Sequence, residues 1–163
     1  QLFESGFVEY VKCCLQEYHI NSDCIELEIT ESTCLKDIDA VNSVSRALHD
    51  SGMRIALDVF GAGYSSLLYL LKLPIDTIKI DREIIQEPNK KGQAIVQSIC
   101  RLARDINVTT IAEGVESRDQ VDFLSSVGCD LAQGRYFSAP LAKEEYASYI
   151  HHTKTLCTQT VIQ

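Results

Sequence analysis

The stretch from Arg54 to Leu67, R-I-A-L-D-V-F-G-A-G-Y-S-S-L, narrows what this chain can fold into more than any other. Arg54 to Val59 reads as a strand, with Ile55, Leu57 and Val59 on one face and Ala56 and Asp58 on the other. Gly61 and Gly63 then make a tight turn, and Ser65 or Ser66 is placed to cap a helix that begins near Leu67. A carboxylate, Asp58, therefore stands where a strand gives way to a glycine loop. In α/β folds that end of the strand is where sites are built.

The same unit repeats on either side. A helix is expected over Phe7 to Tyr18, then a strand over Ile25 to Ile29 and a helix from Ile38 to Asp50. Beyond the central stretch, the short helix Leu67 to Leu71 stops at Leu73-Pro74. Asp76 to Asp81 reads as a strand, Glu87 to Gly92 as a loop, and a helix follows to Asp105. Val108 to Glu113 is strand, and Ser117 with Gln120 forms a capping box for a helix closing at Gly128. Leu131 to Gln133 is a last short strand, Glu144 to Ile150 a final helix, and the tail after His152 reads as frayed. Short strands alternating with helices imply an α/β fold with a parallel sheet and right-handed crossovers.

Composition closes off several classes. A net charge of -8 argues against a broad grip on a nucleic acid polymer, which needs clustered Lys and Arg. No apolar run approaches the roughly 18–20 residues of a membrane span, and a cytoplasmic location is expected. Seven cysteines without a C-x-x-C pair fit neither a disulfide framework nor a zinc site, so reduced thiols are expected. Gly61-Ala-Gly63 lacks the Lys-Ser or Lys-Thr of a phosphate loop and reads as a hinge. His151 and His152 read as favourably placed at a helix C-terminus, and His19 and His49 also fall near helix ends.

Each strand leaves a polar group at or near its C-terminal end: Glu28, Asp58, Lys79, Glu113 and Gln133. Five parallel strands would gather them at one rim. Three carboxylates, an ammonium and an amide there suit a divalent cation with oxygen ligands, which could polarise a phosphoryl oxygen. Taken singly, each is better explained as a helix cap or a loop anchor, but all five in consecutive units are harder to dismiss. The residues alone leave both readings open.

Five segments resemble the EAL domain family, in that family's order and over nearly the whole chain. They are L-E-I-T-E-S (Leu27 to Ser32), D-V-F-G-A-G-Y-S-S-L (Asp58 to Leu67), I-K-I-D (Ile78 to Asp81), A-E-G-V-E (Ala112 to Glu116) and Q-G-R-Y-F-S-A-P (Gln133 to Pro140). The resemblance implies a TIM-like (β/α) barrel and a bacterial phosphodiesterase that linearises cyclic di-GMP with Mg²⁺ or Mn²⁺. It implies Glu28, Asp58 and Glu113 as metal ligands, with Asp58 shared between two metals. Lys79 would steady the attacking water or the phosphate, Glu113 would also act on that water, and Gln133 would orient the same region. Glu31 would hold the loop after Asp58, and Glu116 would support loop or ligand.

Three departures qualify those expectations. Val59 stands where the family's loop carries a second aspartate, and valine cannot ligate a cation, so weak or absent hydrolysis is expected. Arg135 replaces the tyrosine of the family's Q-G-Y motif. The Glu-Ala-Leu signature, the arginine after it and a metal-binding asparagine belong upstream of Gln1. The chain is thus expected to supply about five β-α units, the C-terminal two-thirds of a barrel that typically takes about 250 residues. Residues 1–150 would form this partial domain and 151–163 a tail. Uncovered sheet edges make self-association an expectation, and a GGDEF cyclase or sensor domain could precede the chain. The alternative is a module that binds cyclic di-GMP, or a protein partner, without cleaving anything.

Overall fold

Five parallel strands pair in chain order into a single sheet: β1 (Glu26–Thr30), β2 (Arg54–Phe60), β3 (Thr77–Ile80), β4 (Thr109–Ala112) and β5 (Leu131–Ala132). The protein is seen in a computed structural model that describes residues 2–60, 67–87 and 89–156. The described α-helices are α1 (Phe7–Glu17) before β1, then α2 (Glu31–Cys34), α3 (Ile38–His49), α4 (Leu67–Lys72), α5 (Arg82–Ile85), α6 (Lys90–Asp105) and α7 (Arg118–Val127) between strands, and α8 (Lys143–Leu156) after β5. This is an α/β fold consistent with an incomplete TIM-like barrel, with β1 and β5 at the two edges.

Period-2 alternation sorts the side chains into two faces. Leu57 is in register with Ile78, and Ile80 with Ala112. Together with Ile29 and Ile55 they form a buried layer with Val41 and Leu48 of α3, Val96 and Ile99 of α6 and Leu124 of α7. Burying one such aliphatic side chain contributes about 1.5–3 kcal/mol, so this layer carries most of the favourable term. The opposite face holds Glu28, Ala56, Asp58, Thr77 and Lys79, and hence the site.

Helix ends follow their local chemistry. Asp37 caps α3 by accepting from the Ala40 N–H at 3.0 Å. The Ser117–Gln120 capping box forms as expected, and Gly128, at φ 74°, ends α7 in the left-handed conformation. Replacing Ser117 with Ala should lower stability by about 1 kcal/mol, read as an earlier urea midpoint with unchanged slope.

The structure corrects several boundaries. Asn89 accepts from the N–H groups of Lys91 and Gly92, so α6 begins at Lys90, inside the stretch read as loop. Asp81 is not a strand residue but the N-cap of α5, accepting from the Glu83 N–H at 2.6 Å. Helices α2 and α5 are additional to the expected order, and Glu31, directly after β1, opens α2. Helix α8 runs on to Leu156, so His151 and His152 lie within it instead of at its end. The Gly61–Gly63 turn and the Ser65 or Ser66 cap lie outside the described residues.

Candidate functional site

The rim is organised by one buried cation. Every residue of β3 is buried, and the Lys79 side chain, 10% exposed, rises between the strands on either side. Its Nζ lies 2.7 Å from Glu28 Oε1, 2.9 Å from Glu113 Oε1 and 3.7 Å from Asp58 Oδ1. Burial alone would favour the neutral amine. The hydrogen bonds to Glu113 and Glu28, with the charges of Glu113 and Asp58, more than offset it and hold the lysine pKa well above its usual value. Three carboxylates against one ammonium leave the ring formally two charges negative.

Strand register explains how the groups meet. Thr30 pairs with Asp58, and Glu28 with Ala56, so β1 and β2 deliver their carboxylates side by side. Between β2 and β3 the register slips: Leu57 faces Ile78 but Phe60 faces Ile80. Asp58 and Val59 together therefore oppose the single residue Lys79, a β-bulge at the point where the strand enters its loop. One layer down, Thr77 Oγ1 donates to Glu26 Oε1 across the intervening strand β2. Glu26 and Thr77 had not been singled out; each sits two residues before a rim group, and that parity was the available signal.

The other expected site residues are placed differently. Gln133 directly follows β5, its N–H donating to the Ala112 carbonyl at 2.8 Å and its carbonyl accepting from Val115 at 3.0 Å, but the residue is exposed and its side chain makes no hydrogen bond to the ring. Glu116 is exposed, with its N–H donating to Gln120 Oε1 at 2.7 Å. Glu31 is buried, at 7% exposed. Burial, and after it the Glu31 charge, push the Cys34 thiol up to about 11; the Tyr69 phenol is raised first by burial and then by Cys34 and Glu31. The loop that Glu31 was expected to hold lies outside the described residues.

Whether these residues suit a cation turns on donor chemistry. Carboxylate oxygens with residual negative charge suit a hard divalent ion such as Mg²⁺, Mn²⁺ or Ca²⁺. Yet the carboxylates converge on an ammonium, and among the described residues no three His, Cys, Asp or Glu side chains form a ready metal cluster. The chemistry fits; a pair of adjacent loop carboxylates is not available, since position 59 is valine.

Comparison with known proteins decides the family. The profile described as EAL domain matches residues 1–140. The chain belongs to the EAL domain family. Among EAL relatives it is 39% identical over 147 residues to the bifunctional diguanylate cyclase/cyclic di-GMP phosphodiesterase MucR of Pseudomonas aeruginosa, an alignment covering 89% of this chain and 22% of MucR. It superposes on the EAL domain of Mycobacterium smegmatis DcpA with a TM-score of 0.87 at 36% identity, covering 93% of this chain and 69% of that one. Against a manganese and cyclic di-GMP complex of Klebsiella pneumoniae BlrP1 the TM-score is 0.80 at 36% identity, covering 85% and 36% respectively. The chain thus spans about a fifth of the length of the curated EAL relatives it matches. No described helix is long and apolar enough to cross a membrane.

Proposed function

We propose that the Lys79 ring is part of a cation-dependent site for the phosphodiester of cyclic di-GMP, in a chain whose hydrolytic step is weak or absent. The observation that carries this reading is the convergence of Glu28, Asp58 and Glu113 on one buried ammonium at the C-terminal ends of the strands. Named relatives that cleave or hold this dinucleotide support the choice of ligand.

In this reading Glu28, Asp58 and Glu113 supply oxygen ligands to Mg²⁺ or Mn²⁺. Such an ion, when bound, neutralises phosphate charge and acidifies water. Lys79 keeps the carboxylates ionised and close, and can donate to a phosphate oxygen or to water held beside it. Gln133 orients the ligand at the sheet's edge, Glu31 steadies the loop after Asp58, and Glu116 supports the loop after β4. Val59 removes a ligand at the bulge, so recognition outlasts chemistry. Residues 1–150 then act as one partial domain, in the cytoplasm, with self-association through the β1 and β5 edges and a GGDEF or sensor domain upstream.

A second reading, a module that binds without cleaving, is favoured by the intact Lys79 ring standing beside Val59. Turnover of cyclic di-GMP to linear pGpG with Mn²⁺ separates the two. The wild-type chain should stay near background, and Val59→Asp should raise the rate at least about tenfold, a barrier lower by roughly 1.4 kcal/mol. No gain on Val59→Asp would leave the binding module as the better reading.

A further inference from the structure

Beneath the Lys79 ring a second bond crosses the sheet. Thr77 Oγ1 donates to Glu26 Oε1 at 2.5 Å, a length typical of a hydroxyl bonded to an ionised carboxylate. Thr77 is 4% exposed, and Glu26 is half-buried. Each stands two residues before a ring member. Glu26 and Glu28 therefore share one face of β1, as Thr77 and Lys79 share one face of β3. Both bonds, Thr77 to Glu26 and Lys79 to Glu28, span the strand β2 that lies between.

Strand register makes the choice of partner informative. Glu28 is level with Ala56, and Ala56 with Thr77, so the β1 residue on the Thr77 row is Glu28. Thr77 nevertheless donates to Glu26, one step further down that face of β1. A threonine hydroxyl has one proton to give. Given to Glu26, it leaves Glu28 to the ammonium. It also draws the Glu26 carboxylate up against Thr77, just below the ring. Deprived of that bond, a half-buried carboxylate needs another donor. Lys79 reaches down the same face to Glu28 and is the cation closest to that row. Arg54 is level with Glu26, one row lower, and exposed.

We propose that Thr77 is a positioning residue: by engaging Glu26 it keeps that carboxylate off Lys79, so the ammonium stays at the rim among Glu28, Asp58 and Glu113. This role rests on reading the rim as a phosphodiester site. An ammonium bonded to Glu26 would sit a row deeper and lose its reach to a phosphate oxygen. Neither Thr77 nor Glu26 touches the ligand; both act through Lys79.

The test reads these hydrogen bonds directly, by NMR correlations from the Lys79 ammonium and Thr77 hydroxyl protons to carboxylate carbons in the full chain, without metal or ligand. In the wild type Lys79 should correlate with Glu28 and Glu113, and Thr77 with Glu26. Thr77→Val should replace the Lys79–Glu28 correlation with one to Glu26, and Thr77→Ser should keep the wild-type set. Calorimetric titration of cyclic di-GMP with Mn²⁺ gives the second readout. Thr77→Val should weaken binding about tenfold, the weight of one charge-assisted hydrogen bond. Adding Glu26→Gln, whose amide is neutral, should restore most of it, which a mere packing defect would not allow. Unchanged Lys79 correlations in Thr77→Val, with Glu26 turned to Arg54 or to solvent, would overturn the proposal. So would a wild-type Thr77 hydroxyl that correlates with Glu28, an outcome that needs no variant to fold. The expected exchange of correlations in a chain that binds no cyclic di-GMP would uphold the positioning of Lys79 and remove only the phosphodiester reading.

Discussion

Lys79→Met should destabilise the chain by about 2–3 kcal/mol and abolish any binding at the rim. Removing one partner of a buried ion pair typically costs about 3–5 kcal/mol, because the other charge is left uncompensated. Here the cost is discounted, since the Glu28 side chain is 51% exposed and water screens part of the repulsion. Asp58 and Glu113, at 19% and 23%, have less relief and bear most of it. The effect has a pH signature. Folding raises the Lys79 pKa, so its stabilisation is complete below the unfolded value of 10.5 and is lost as pH rises through the folded value. Urea denaturation of wild type and variant across the alkaline range should show a constant gap up to about pH 10 that then narrows. A gap that does not change up to the pH of alkaline unfolding would mean the ammonium is not the element holding the rim.

Gly134→Ala should cost about 3 kcal/mol or more, at the upper end of overpacking penalties. A Cβ built on Gly134 would fall 2.0 Å from the Val115 carbonyl oxygen and 2.3 Å from its nitrogen. Those atoms are backbone, and both are engaged: Val115 donates to Gln133 and accepts from Tyr136, each at 3.0 Å. Neither can withdraw without opening the junction of β4 and β5. The expected readout is a strongly lowered melting temperature, with faster hydrogen exchange at Val115 and Tyr136. Wild-type stability in the variant would mean the close approach of these two backbones is not maintained in solution.

Much of this arrangement was legible because period-2 parity survives folding. Glu28, Asp58, Lys79 and Glu113 were expected at one rim from their places at or near the strand ends, with the parity less clean at Glu113, and in the structure the three carboxylates lie within 3.7 Å of the Lys79 ammonium. The capping box at Ser117 and the glycine at 128 were equally direct, since their chemistry is local. What escaped notice depends on more than one strand. The bulge at Asp58 and Val59 exists only relative to β3, and no pattern within β2 announces it. The Thr77–Glu26 bond joins residues of β1 and β3 across the intervening β2, so no single strand's pattern announces it. Helices α2 and α5 are four residues each, shorter than two turns, so they carry no period to read. Gln133 was grouped with the ring by its position at a strand end; the structure ties its backbone to the sheet and gives its side chain no hydrogen bond to the ring.

The most direct test of the central claim is a calorimetric titration of cyclic di-GMP into the wild-type chain, with Mn²⁺ and again with EDTA, repeated with Lys79→Met. The ring predicts saturable heat with Mn²⁺, little or none with EDTA, and none in the variant at a temperature where it remains folded. Equal binding by Lys79→Met, or no binding by the wild type in either buffer, would contradict a dinucleotide site built around Lys79.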